Sequence, residues 1–149
     1  MKAVVQRVAR ARVRVGEETA GEIGAGLCVL LGVARGDDGA TVSRLAEKVA
    51  RLRIFENDAG RFDRSLLDTG GEALVVSQFT LITDGSRRQA SGRRPDFSMA
   101  APREQAEPLY EAFCEELRAL GVHVETGVFG ARMRLELVND GPVTIVLEM

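Results

Sequence analysis

Two hydrophobic periods divide this chain into its elements. Val4, Val5 and Val8 mark a strand over residues 2–8. Ala11, Val13 and Val15 then alternate with Arg12 and Arg14, the period of a half-buried strand with an arginine face. Gly16-Glu17 predicts a turn into a short strand that ends at Ile23, before the Gly24-Ala25-Gly26 break. From Leu27 to Val33 the chain is continuously apolar, as in a strand covered on both faces. The period then changes: Val42, Leu45, Val49 and Leu52 follow helical spacing, and Asp38 is placed to cap that helix. Leu66 and Leu67 precede a break at Gly70-Gly71, and Ala73 to Phe79 is a second buried-strand pattern. An irregular segment, 82–101, leads to a second helix that starts near Pro102, carries Leu109, Phe113, Leu117 and Leu120 on one stripe, and stops at Gly121. Pro108 lies inside that pattern, so either its first turn bends or the regular helix begins later. Val122 and Val124, then Met133, Leu135 and Leu137, alternate with polar residues as strands. Val143 to Leu147 is a last strand, after an Asn-Asp-Gly-Pro turn.

This order of strands, two strand–helix units and more strands predicts an α/β fold, a mixed sheet with two main helices packed on one side. The 149 residues form one domain spanning 1–149, without internal repeat or linker. At 45% hydrophobic and 28% charged, the composition is globular rather than disordered. A net charge of −2 means that any contact with nucleic acid must use a local patch. The N-terminus lacks an h-region, and no apolar run approaches the ~20 residues of a membrane span, which predicts a cytoplasmic protein with no membrane partner. Cys28 and Cys114 are well separated, with no CxxC neighbour, and read as reduced, buried thiols.

Familiar catalysts are scarce. His123 alternates within a strand and has no Cys or acid pair at ligand spacing, so no metal site is predicted. Gly24 and Gly26 lack the helix and third glycine of a dinucleotide site, and no cofactor is predicted. Two polar segments at strand ends remain. Ser77-Gln78-Phe79-Thr80-Leu81 sets two hydroxyls and an amide after an apolar strand. Asn139-Asp140-Gly141-Pro142-Val143-Thr144 joins a hairpin-turn signal to a proline that fixes φ and follows a bond able to be cis. It reads either as a structural turn or as a rigid segment that aims backbone carbonyls at a ligand. Between these segments, Arg87, Arg88, Arg93 and Arg94 form either a solvated loop or a local phosphate-binding patch, since guanidinium offers a planar, bidentate fork.

The segments SQFTL at 77–81 and NDGPVT at 139–144 resemble the two signature motifs of the D-aminoacyl-tRNA deacylases, in order and spacing. The similarity extends to residues 1–15, GEIGAGL at 21–27, LLGV at 30–33, RIF at 53–55, LVVSQFTL at 74–81 and GRRPDFS at 92–98, while Ile82 to Ala90 is a few residues longer than in that family. The resemblance implies a three-layer α/β/β arrangement of mixed, mostly antiparallel sheets. It implies a cytoplasmic homodimer with its active site at the subunit interface and no cofactor. The implied reaction is hydrolysis of the ester between a D-amino acid and the 3′-terminal adenosine of tRNA, with glycine misattached to tRNA as a further substrate. Ser77, Gln78, Phe79 and Thr80 would be the catalytic segment, holding the ester and the terminal ribose. Gly141 and Pro142, joined by a cis bond, would reach into the partner's site and reject L-amino acids with their carbonyl oxygens, and Asn139, Val143 and Thr144 would lie beside the substrate. Arg87, Arg88, Arg93 and Arg94 would contact tRNA. The family's chemistry draws on the RNA's own 2′-hydroxyl, and the lack of an evident base beside Thr80 agrees with that. Thr80 is then either a nucleophile or a positioning hydroxyl, and Phe79 either packs in the core or lines the adenosine pocket.

Overall fold

The computed structural model describes residues 1–83 and 94–149. The first two sequence strands are one, β1 (Lys2–Val15), followed by β2 (Glu18–Ile23) and β3 (Gly26–Gly32). Then come helix α1 (Gly39–Arg51), a small hairpin of β4 (Phe55–Glu56) and β5 (Phe62–Arg64), the one-turn helix α2 (Leu66–Thr69) and strand β6 (Glu72–Ser77). Helix α3 (Arg103–Ala119), β7 (His123–Thr126) and β8 (Arg134–Glu148) complete the order.

Local chemistry accounts for the helix ends. The Asp38 carboxylate accepts from the Thr41 N–H at 3.0 Å and caps α1. Ser65 and Asp68 close a reciprocal capping box that starts α2, and Gly70 ends it in the left-handed region. Helix α3 begins at Arg103 and runs through Pro108. The carbonyl that Pro108 leaves without an N–H donor is that of Glu104, four residues earlier. Both residues are exposed, so water can take the place of the missing bond.

The main sheet has the order β2-β1-β3-β6-β7, with β8 running along the other side of β1. The pairs β3–β6 and β6–β7 are parallel, whereas β1 pairs antiparallel with β2, β3 and β8. Strands β3 and β6 are covered on both faces, as their unbroken apolar runs require. Leu27, Val29, Leu31, Ala73 and Val75 join Leu45, Val49 and Phe113 of the helices in one core. Cys28, Leu74 and Val76 turn the other way, against Val13, Ile23, Leu135 and Leu137. Helices, sheet and a second stack of strands thus make three layers.

One further expectation changes. Asn139–Pro142 does not turn the chain back: β8 passes through it as a single strand. Opposite it, β1 pairs Gln6 with Thr144 and Val8 with Asn139, so residues 140–143 stand against Arg7 alone. The segment is a large bulge, held by an antiparallel partner over 100 residues away in sequence.

Candidate active site

The first polar segment lies where parallel β3 and β6 end. The Gln78 N–H continues the ladder to the Leu31 carbonyl at 2.8 Å. The chain then winds into a single 3-10 turn over Phe79–Leu81. This turn docks tightly on Gly32, where an added Cβ would meet the Gln78 carbonyl oxygen at 3.0 Å and Leu81 Cβ at 3.1 Å. Glycine is needed there for closeness of approach. The Gln78 amide donates to Thr80 Oγ1 at 2.5 Å. Phe79 is 55% exposed, which corrects the core alternative. Its ring packs edge-on against Phe97 with centroids 5.1 Å apart.

Ser77, Gln78 and Phe79 line a cavity of about 410 Å³. Apolar Leu31, Val76, Met133 and Leu135 line it as well, together with Phe129, Gly130 and Arg103. A mostly apolar hollow of this size with a few polar groups at one side suits a nucleoside-sized ligand. Phe129 and Arg103 were not singled out in the sequence. Each sits in a segment without a periodic signal or at a helix start, so only the tertiary fold brings them to this cavity.

The second segment is shaped from beneath by Arg7. This side chain is buried; its Nε donates to the Asp140 carbonyl and its Nη1 to the Ile54 carbonyl, each at 2.8 Å. Its Nη2 lies 3.5 Å from Glu56, and Phe62 stacks over the guanidinium at 5.6 Å. Asn139 braces the bulge from the side, accepting from the Val143 N–H at 2.7 Å and donating to the Val143 carbonyl at 3.2 Å and to Thr144 Oγ1 at 3.1 Å. Val143 is buried in the helix-side core. Asn139, Val143 and Thr144 therefore act on one another, fixing the loop, while Gly141 and Pro142 stand exposed with their mutual peptide bond cis. Gly141 has φ +147°, and a Cβ on it would lie 2.7 Å from Val143 Cγ2. The signal for Arg7 was available: it continues the inward face of Ala3 and Val5, where a charge needs a dedicated partner.

Within one chain these segments do not meet. Thr144, Gln6, Cys28 and Leu74 form one row across β8, β1, β3 and β6. Ser77 lies three strand spacings across that row and three residues beyond it, roughly 17 Å away by standard sheet spacings. Gly141-Pro142 lies further off in the opposite direction. His123 offers no base to Thr80. It faces Glu72 and Glu125 at 3.5 and 3.8 Å, at the start of β6 rather than its end. Among the described residues no group of His, Cys, Asp and Glu could hold a metal ion, and no helix is long and apolar enough to cross a membrane. Both cysteines are buried, and burial pushes the Cys28 thiol up to about 12 and the Cys114 thiol to about 11. Arg94 is exposed, whereas Arg87, Arg88 and Arg93, with most of the longer stretch Ile82–Ala90, lie outside the described residues.

Comparison with known proteins adds to this geometry. The family model described as D-Tyr-tRNA(Tyr) deacylase matches residues 4–148. Proteins named D-aminoacyl-tRNA deacylase from Roseiflexus sp. (strain RS-1) and Symbiobacterium thermophilum are 62% and 60% identical over 148 residues, covering 99% of this chain and 93% and 95% of theirs. A solved structure described as c-Myc DNA Unwinding Element Binding Protein superposes with a TM-score of 0.89 at 44% identity, over 100% of this chain and 99% of that one. Another, described as a probable eukaryotic D-amino acid tRNA deacylase, shares the fold with a TM-score of 0.83 at 17% identity, over 99% and 98% of the two chains.

Proposed function

The chain belongs to the D-Tyr-tRNA(Tyr) deacylase family, and from that premise we propose how its two segments divide the work of D-aminoacyl-tRNA deacylation. The enzyme is a hydrolase acting on aminoacyl-tRNA. The terminal adenosine enters the cavity beside Phe79, with its ribose and ester at Ser77, Gln78 and Thr80. Backbone N–H groups of the 3-10 turn face the ester carbonyl and stabilise the oxyanion as it forms. Water adds to the carbonyl carbon, and the bond to the ribose 3′-oxygen breaks. The neighbouring 2′-hydroxyl relays the proton from the water to the departing oxygen. Thr80 positions the ester and does not attack it, since its hydroxyl is paired with the Gln78 amide and not with a base.

Gly141 and Pro142 form the chiral wall. The carbonyl oxygens of a braced bulge exclude an L side chain by collision, whatever that side chain is. Such selectivity by rejection tolerates many D-amino acids and lets glycine through. What supports this reading is the register, which sets the two segments three strands apart and displaced in opposite directions along the sheet, roughly 17 Å or more by standard sheet spacings. A second copy closes that distance: the bulge of one protomer, exposed on a strand whose outer edge is unpaired among the described residues, serves the site of its partner. The working form is therefore a homodimer in the cytoplasm, and its tRNA contacts include the arginines from 87 to 94.

The mechanism is tested with D-aminoacyl-tRNA whose terminal 2′-hydroxyl is replaced by hydrogen. Turnover is expected to vanish on that substrate, while Thr80→Ala on the normal substrate loses only about 10–100-fold, the scale of a lost positioning contact. Full turnover of the 2′-deoxy substrate, abolished by Thr80→Ala, would instead establish a protein nucleophile. A nucleic-acid-binding role without turnover is the competing reading, favoured by the likeness to a protein described as binding a DNA unwinding element. Tight binding of D-aminoacyl-tRNA with no release of amino acid would support it.

A further inference from the structure

Arg103 is the one charged side chain among the described residues that line the cavity. It opens α3, in a lining that is mostly apolar. Three neighbours hold its guanidinium in place. Its Nε donates to Glu107 at 2.9 Å, its Cζ lies 5.5 Å from the centroid of the Phe129 ring, and its Nη1 packs where Gly130 has no side chain. A Cβ on Gly130 would come within 3.1 Å of that nitrogen. A solvated i,i+4 ion pair alone would contribute little and would leave the guanidinium free to move. Here the Phe129 ring and the Gly130 backbone also lie against it, and all three residues line the same cavity.

A nucleoside seated in this cavity is neutral, and its strand must leave through the mouth. The first charge to pass the rim is the phosphodiester joining the terminal nucleotide to the rest of the strand. A preorganised guanidinium matches that group in both charge and hydrogen-bonding geometry. We propose that Arg103 binds this phosphodiester and so sets the affinity for aminoacyl-tRNA while leaving the chemistry at the ester unchanged. The inference rests on the cavity's reading as the seat of the terminal adenosine.

The test compares two substrates, D-aminoacyl-tRNA and the phosphate-free D-aminoacyl-adenosine, with wild-type protein, Arg103→Gln and Arg103→Lys. With tRNA, Arg103→Gln is expected to raise KM about tenfold, the worth of one exposed charge-assisted hydrogen bond, with kcat held. The slope of log(kcat/KM) against log salt should shrink by about 0.7, the value for one phosphate on a single strand. Arg103→Lys should recover part of the KM and the whole of the salt slope. With D-aminoacyl-adenosine, which carries no phosphate, the loss on Arg103→Gln should be clearly smaller than with tRNA, and all three proteins should share one salt slope. An equal loss on both substrates would overturn the proposal, because Arg103 would then act by shaping the Phe129 wall. No loss on either would overturn it too. Wild-type protein inactive on both would instead refute the underlying assignment of the cavity, so the two failures are separable.

Discussion

Arg7 offers the sharpest test of how the fold builds its selectivity. Arg7→Met keeps most of the apolar stem and removes the fork that holds the Asp140 and Ile54 carbonyls, each 2.8 Å away. A hydrogen bond from a charged donor contributes about 1.5–3 kcal/mol. The Asp140 carbonyl belongs to an exposed residue and can turn to water, whereas Ile54 is buried. The net loss is therefore about 3 kcal/mol, near the lower end for two such bonds. For a chain of this length that lowers the melting temperature by about 6–12 °C. The functional effect is separate. Without its anchor the bulge relaxes, and a wall displaced by about 1 Å loses selectivity by up to about 100-fold. Thermal melts followed by single-turnover deacylation of D- and L-aminoacyl-tRNA read both effects. D-substrate turnover should fall while L-substrate turnover rises, and Arg7→Lys, which keeps the charge but not the fork, should lie between. A variant that melts with wild type and keeps the wild-type D/L ratio would refute the role given to Arg7.

Gly141→Ala places a methyl 2.7 Å from Val143 Cγ2 and 2.9 Å from the Val143 nitrogen at a φ of +147°. It should cost about 2 kcal/mol or more in urea unfolding, the range for a non-glycine residue held in such backbone, and unchanged stability would contradict the bulge geometry. Cys28 and Cys114, with thiols pushed up by burial to about 12 and about 11, should resist alkylation in the native protein at pH 8 and both react in denaturant, as read by mass spectrometry. Their folded values lie above the ordinary thiol value of about 8.5, so the stability they contribute is full below that pH and fades as pH climbs towards 11–12. A melting temperature that rises between pH 9 and 11 would reverse that sign.

The elements set by their own periodicity were legible in the sequence. The alternating run from Val13, the apolar block at Leu27–Val33 and the stripe from Val42 to Val49 each carry their period locally, and Asp38 announces its cap. What failed was set by distant partners. Asp140-Gly141 carries the chemistry of a hairpin turn, yet β1 holds both flanks of the segment in antiparallel register and forces a bulge instead. Nothing within 139–144 encodes that register. Phe79 ends an apolar run, which left a place in the core open to it beside one in the pocket, but the strand stops at Ser77 and the following turn carries the ring outward. A lone cation on the inward face of an apolar strand signals that Arg7 has partners, but which two carbonyls close on it is decided by other elements. SQFTL and NDGPVT stand out because each is contiguous in sequence, but the cavity that Ser77, Gln78 and Phe79 share with Phe129 exists only in the fold.

Selection by collision with a backbone wall is tested most directly by deacylation of matched D-, L- and glycyl-tRNA with the wild-type protein. Rapid release of several unrelated D-amino acids, release of glycine, and no release of the L-forms are expected. Hydrolysis of one D-amino acid with exclusion of the others and of glycine would show a pocket that recognises a side chain, and would contradict selection by collision.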